Sequence, residues 1–186
     1  NELGRIMREN GIVGAGGAGF PSYAKLNEKA DTIILNCAEC EPLLKLHRQV
    51  LEKYAFEIMT ALTAVKEATQ AERVIIAVKP AYKGAVDAVK ANLGSFKDIT
   101  IGYLPEVYPA GDEVITIYET TGRVVAPGAI PISVGCIVYN VETMLNLYFA
   151  MTADKPVTSK YITIAGEVKK PVTLNVPLGM TVNELV

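Results

Sequence analysis

The residues most able to do chemistry begin at a glycine run, Gly11-Ile12-Val13-Gly14-Ala15-Gly16-Gly17-Ala18-Gly19-Phe20-Pro21. Glycine has no Cβ, so its N–H groups can turn toward an anion and its backbone can approach a flat ring. A loop follows that is dense in functional side chains, Cys37-Ala38-Glu39-Cys40-Glu41-Pro42. Its acids Glu39 and Glu41 can bind hydroxyls or ring edges. Cys37 and Cys40 have the C-x-x-C spacing of redox dithiols and metal sites. The alternative is that both thiols are small apolar fillers. Asp112 and Glu113 form a further acidic pair, and either can also serve as a helix-start residue favoured by the dipole.

Gly14-x-Gly16-x-x-Gly19 satisfies the dinucleotide-binding pattern. That fingerprint needs a strand before it and a helix directly after it. Upstream stand only Gly11, Ile12 and Val13, and downstream Phe20-Pro21 interrupts. In its favour, Glu39 lies about 20 residues on, where a ribose-binding acid would sit. A structural turn without a ligand is the third reading. It runs against the folding cost of so many glycines.

The remaining pattern supplies the elements that must position these loops. Residues 2–9 read as an amphipathic helix, and Pro21 suits the first turn of another through Leu26. Apolar runs at 32–36, 73–78, 99–104 and 136–139 read as strands. Leu46 to Thr69 reads as one long helix with a single buried stripe. Ala81 to Leu93 is a helix with Gly94 as its cap, and the helix after Asp112 ends at Gly122. Another helix opens at Asn140 or Val141. Strand and helix alternate, which predicts an α/β fold with a mostly parallel sheet flanked by helices. Residues 125–135 carry two prolines and two glycines and read as a loop. From about residue 155 the pattern changes to two strands, 161–168 and 171–176, then a helix near Thr181. That order reads as a β-grasp-like segment, truncated at residue 186. The expected domains are therefore 1–154 and 155–186.

Composition excludes several classes. Of 186 residues half are hydrophobic and 20% are charged, with a net charge of −2. Such a chain has no basic field for nucleic acid. No uncharged run approaches the roughly 18 residues of a membrane span. No apolar leader opens the chain, so a cytoplasmic setting is the expectation. The start at Asn1 and the stop in an opening helix read as a fragment. Three cysteines, Cys37, Cys40 and Cys136, fall short of the four that usually hold an iron–sulfur cluster. No metal site is expected within the chain. Cys136, in a strand, reads as core. His47, the only histidine, reads as a surface or helix-start residue.

Three segments occur together and in order: Gly14–Pro21 with Lys25, Asn36–Pro42, and Tyr139-Asn140-Val141-Glu142-Thr143. In this the chain resembles the FMN- and NADH-binding domain of the complex I flavoprotein subunit. Within that superfamily it is similar to the Rnf-complex C subunit and the cobalamin reductase of propanediol-utilising microcompartments. The segments Tyr108–Glu113 and Thr121–Val125 are similar to that second group. The tail from Tyr161 resembles the soluble-ligand-binding β-grasp (SLBB) domain. The resemblance implies an FMN pocket with NADH stacked on the flavin. Gly14, Gly16, Gly17 and Gly19 would line the flavin together with Val138. Lys25 would reach its phosphate or ribityl chain, and Asn36, Glu39 and Asn140 its polar atoms. Phe20 would stack on the NADH adenine, and Glu41 with Asp112 or Glu113 would face the dinucleotide. No side chain need act as a catalyst, since the flavin carries the hydride chemistry. Electrons would leave for iron–sulfur clusters outside this chain, on other redox subunits or a C-terminal domain. The alternative is a partner-binding scaffold whose flavin pocket has degenerated.

Overall fold

The computed structural model describes residues 2–27, 29–39 and 41–185. Four strands form the main sheet: β1 (Thr32–Asn36), β2 (Arg73–Val78), β3 (Ile99–Tyr103) and β4 (Cys136–Asn140). Their order is β3-β2-β1-β4, and every neighbouring pair is parallel. The strands are short runs of β-branched and other apolar residues because both faces are covered. One face carries Ile33, Leu35, Val74, Ile76, Ile137 and Tyr139 into the larger core. The other carries Ile34, Ile75, Cys136 and Val138 into a smaller one.

Five helices build the larger layer: α1 (Glu2–Glu9), α2 (Leu46–Lys53), α3 (Ala55–Thr69), α4 (Lys83–Asn92) and, after β4, the helix Val141–Ala153. The smaller layer is organised by the helix Glu113–Thr121, whose Ile117 is fully buried. In chain order these last two are α5 (Glu113–Thr121) and α6 (Val141–Ala153). Asp112 caps α5 with its carboxylate, accepting from Val114 and Ile115 N–H, and Gly122 closes it at φ +72°.

Two expectations are corrected. The stretch 46–69 is two helices, bent at Tyr54 with φ −127° and ψ 34°. The bend lets α2 pack on α4 while α3 packs on α6, and Tyr54 meets Phe149 edge-on. Neither proline nor glycine announces it in the sequence. Gly94 does not cap α4, which instead runs through Leu93 into a 3-10 turn, Leu93–Ser95.

A separate antiparallel pair follows, β5 (Ser159–Ile164) with β6 (Val172–Pro177), and then a single helical turn, α7 (Val182–Leu185). The first of these strands starts and ends earlier than the apolar pattern suggests, and both are only half-buried. The link into the pair is tied to the end of α1, with Val157 N–H donating to the Asn10 carbonyl at 3.0 Å. No helix among the described residues is long and apolar enough to cross a membrane.

Candidate functional site

The glycine run folds into a closed loop. Gly14 N–H donates to the Phe20 carbonyl at 2.8 Å, and Gly19 N–H returns to the Gly14 carbonyl at 3.1 Å. Gly17 at φ +128° and Gly19 at φ +62° make the turn that other residues rarely adopt. Gly16 serves close approach instead: a Cβ there would lie 3.4 Å from the Asn140 amide nitrogen. The loop rests on the start of α6, where Ala15 N–H donates to Thr143 Oγ1 at 2.9 Å and that hydroxyl donates to the Val13 carbonyl at 3.2 Å. A helix precedes the loop and a 3-10 helix, Ser22–Asn27, follows it. The glycines therefore do not sit in the strand–turn–helix of a dinucleotide fingerprint.

Beside the loop, along the edge of β4, lies a cleft of about 530 Å³. That is within the range of small-molecule sites. It opens where the strand order reverses: β2 and β3 lie on one side of β1 and β4 on the other. Ligands of open parallel sheets bind at such switch points, beyond the carboxyl ends of the strands. Those ends are Asn36 and Asn140, paired in register.

Among the sequence-predicted residues, Gly14, Gly16, Phe20, Lys25 and Asn36 line the cleft. So do Glu113, Val138 and Asn140. Lys25 Nζ donates to the Val138 carbonyl at 2.7 Å, closing part of the open strand edge, and lies over the Tyr139 and Phe20 rings. Burial lowers the Lys25 pKa, with the Glu113 charge opposing. Burial raises the Glu113 pKa, with Lys25 opposing. The cleft therefore sets a half-buried lysine, Lys25, near an exposed carboxyl group, Glu113. Asn36 donates from Nδ2 to the Gly111 carbonyl at 2.8 Å, which ties β1 to the start of α5.

Asn140 is fixed twice. Its Oδ1 accepts the Glu142 N–H at 2.9 Å, so its amide nitrogen must face the His47 Nε2 at 2.9 Å. His47 Nε2 can only accept there, which requires neutral His47 with its proton on Nδ1, a buried atom without a hydrogen-bond partner among the described residues. Desolvation agrees, lowering the His47 pKa to about 4. The lone histidine thus sits in the first turn of α2, as the helix-start reading expects, but half-buried and paired with a residue of the cleft. Position 47 carried no sequence signal for this, because its partner lies 93 residues away.

Other predicted residues are placed elsewhere. Gly17 and Gly19 shape the loop without lining the cleft. The Glu39 carboxylate is buried against α2, accepting the His47 N–H at 2.8 Å, with Arg48 Nε 3.3 Å from its second oxygen. Burial raises its pKa, and Arg48 opposes. Glu41 is exposed, and Asp112 is occupied as the α5 cap. Cys37 is fully buried, and desolvation pushes its thiol well above the ordinary value. Cys40 lies outside the described residues. Cys136 is buried in the smaller core, as expected, and also borders the cleft. The sequence reading missed the opposite wall, Ile130, Pro131 and Ile132, and the Tyr139 ring. The first three stood in a stretch marked only by its turn residues.

Residues 7–149 match the family described as the Nuo51 FMN-binding domain. Cobalamin reductase PduS of Citrobacter freundii is 45% identical over 96% of this chain and 39% of its own length. The C subunit of the Na+-translocating ferredoxin:NAD+ oxidoreductase complex of Acetobacterium woodii is 31% identical over 95% of this chain and 41% of its own. The chain thus spans about two fifths of these curated relatives. In fold it is similar to a chain of an NAD+-reducing NiFe hydrogenase, with a TM-score of 0.82 at 22% identity, over 98% of this chain and 38% of the other. The chain belongs to the Nuo51 FMN-binding domain family, whose cofactor is FMN.

Proposed function

We propose that this chain is the flavin unit of an oxidoreductase. It takes hydride from NADH onto bound FMN, and electrons pass on to iron–sulfur clusters carried outside residues 1–186. The observation that carries the reading is the pairing of Asn36 with Asn140 at the sheet's switch point, beside a glycine loop and a half-buried lysine. In this reading residues 1–154 form the flavin unit and 155–186 open an SLBB-type β-grasp module. The setting is cytoplasmic, at the margin of a membrane complex or inside a microcompartment.

The residues present fit the cofactor. Gly14 and Gly16 present bare backbone to the cleft, and a Cβ at Gly16 would touch Asn140. Lys25 offers the cation a phosphate needs, and Asn36 and Asn140 offer amides to ring or ribityl oxygens. FMN supplies the exchange between a two-electron hydride donor and one-electron acceptors. The chain's own work is orientation and exclusion of water. Val138 and the Ile130–Ile132 wall give an apolar lining. The half-exposed Phe20 presents a ring for the adenine of NADH. Glu113, at the start of α5, faces the space in which ribose hydroxyls would lie. We assign Glu39 and Asp112 to holding α2 and α5 in place, and Gly17 and Gly19 to shaping the loop.

The test is a purification of the full-length protein with FMN. The reading expects a retained yellow chromophore that NADH bleaches under anaerobic conditions. A protein that takes up no FMN at micromolar concentration supports the partner-binding scaffold instead. Bound flavin that NADH leaves unbleached removes NADH as the donor.

A further inference from the structure

The C-terminal hairpin reaches the glycine loop through one side chain. Lys160, on β5, donates from Nζ to the Ala15 carbonyl at 3.0 Å and to the Glu142 carboxylate. Glu142 is the second residue of α6, and its side chain is 1% exposed. Its other carboxylate oxygen accepts the Tyr161 N–H at 2.9 Å. The neighbouring Thr143 holds the same loop from the other side, accepting Ala15 N–H. The Ala15 backbone is therefore held on both sides, its N–H by α6 and its C=O by β5.

A buried carboxylate needs a partner, and Lys160 together with the Tyr161 N–H provides it. That need alone would make Lys160 a tether between α6 and the hairpin. The bond to the Ala15 carbonyl is additional, and it falls on the part of the chain with the most freedom to lose. Glycines surrender more conformational entropy on ordering than other residues, so an untied loop would bind its ligand at a higher entropic cost. Ala15 stands between Gly14 and Gly16, the two loop glycines that line the cleft on either side of it.

We propose that Lys160 is a positioning residue of the flavin site, holding the Ala15 carbonyl so that the loop is ordered before FMN arrives. The C-terminal hairpin is then a working part of the site rather than an appendage. This rests on the flavin reading above.

The experiment uses the full-length protein, unsubstituted and as Lys160→Arg, Lys160→Met and the double variant Lys160→Met with Glu142→Gln. Three quantities are read: amide exchange of residues 14–19 without ligand, the FMN dissociation constant, and the thermal midpoint. Lys160→Met should speed loop exchange and weaken FMN binding about tenfold, the scale of one charge-assisted hydrogen bond. Lys160→Arg should stay within about threefold, since its guanidinium offers donors to both acceptors. Glu142→Gln in the double variant removes the unpaired buried charge, so it should recover the thermal midpoint yet keep the fast loop and the weak binding. A double variant with normal exchange and normal FMN affinity overturns the proposal and leaves Lys160 a tether. Fast exchange with unchanged affinity overturns it too. Failure of the unsubstituted protein to bind FMN is a different result, and overturns the flavin reading itself.

Discussion

Two loops carry the densest chemistry of this sequence, and the fold uses them in opposite ways. The glycine loop, 14–20, presents backbone to the cleft and takes its order from α6 and β5. The loop after β1, among the described residues, turns Cys37 and Glu39 inward. Cys37 enters the core, and Glu39 closes the start of α2. Only Asn36, still on the strand, reaches the cleft from that segment among the described residues. A run of acids and thiols is therefore no guide to ligand contact by itself, whereas residues that leave space are.

The largest expected effect tests the first half of that contrast. Gly16→Val places branched carbon against the Asn140 amide. FMN affinity should fall about a hundredfold or more, near 2.7 kcal/mol, while the thermal midpoint changes little. Equal affinity in this variant would mean that the loop does not face the flavin. Glu39→Gln tests the second half. It should cost about 2 kcal/mol of stability, read by denaturant unfolding, because the buried α2 cap and the Arg48 pairing weaken. FMN affinity should stay within about threefold. A large affinity loss with normal stability would move Glu39 into the site and erase the contrast.

His47 sharpens the comparison through pH. Its folded pKa of about 4 lies below the ordinary 6.5. Between those values the unfolded chain takes up a proton that the folded chain refuses. The stability tied to neutral His47 is thus complete above about pH 6.5 and lost as pH falls toward 4. His47 is the only histidine of residues 1–186, and its NMR signal is identified by its loss in His47→Gln. A titration midpoint near 6.5 would contradict the Asn140 contact. The smallest effect belongs to Cys37. Cys37→Ala should cost about 1 kcal/mol in thermal unfolding as a core truncation. The rate of flavin bleaching by NADH should be unchanged. A lost rate would revive the dithiol reading of Cys37-x-x-Cys40.

Much of this was legible in the sequence because it is local. The four strands follow from apolar runs, the α5 cap from Asp112, and its end from Gly122. Three spaced segments gave the glycine loop its family and half of the residues that line the cleft. What stayed hidden depends on contacts between distant residues. The bend at Tyr54 comes from α2 and α3 packing on different helices. The roles of His47 and Lys160 depend on partners 93 and 145 positions away. The Ile130–Ile132 wall is apolar for a reason visible only once β4 is known to be an edge strand.

The central claim is that FMN sits between the glycine loop and the edge of β4. Amide exchange of the full-length protein with and without saturating FMN tests it most directly. The account predicts slowed exchange concentrated at residues 14–20 and at the Asn36 and Asn140 strand ends, with α4 unaffected. Slowed exchange elsewhere, with the glycine loop unchanged, would contradict it.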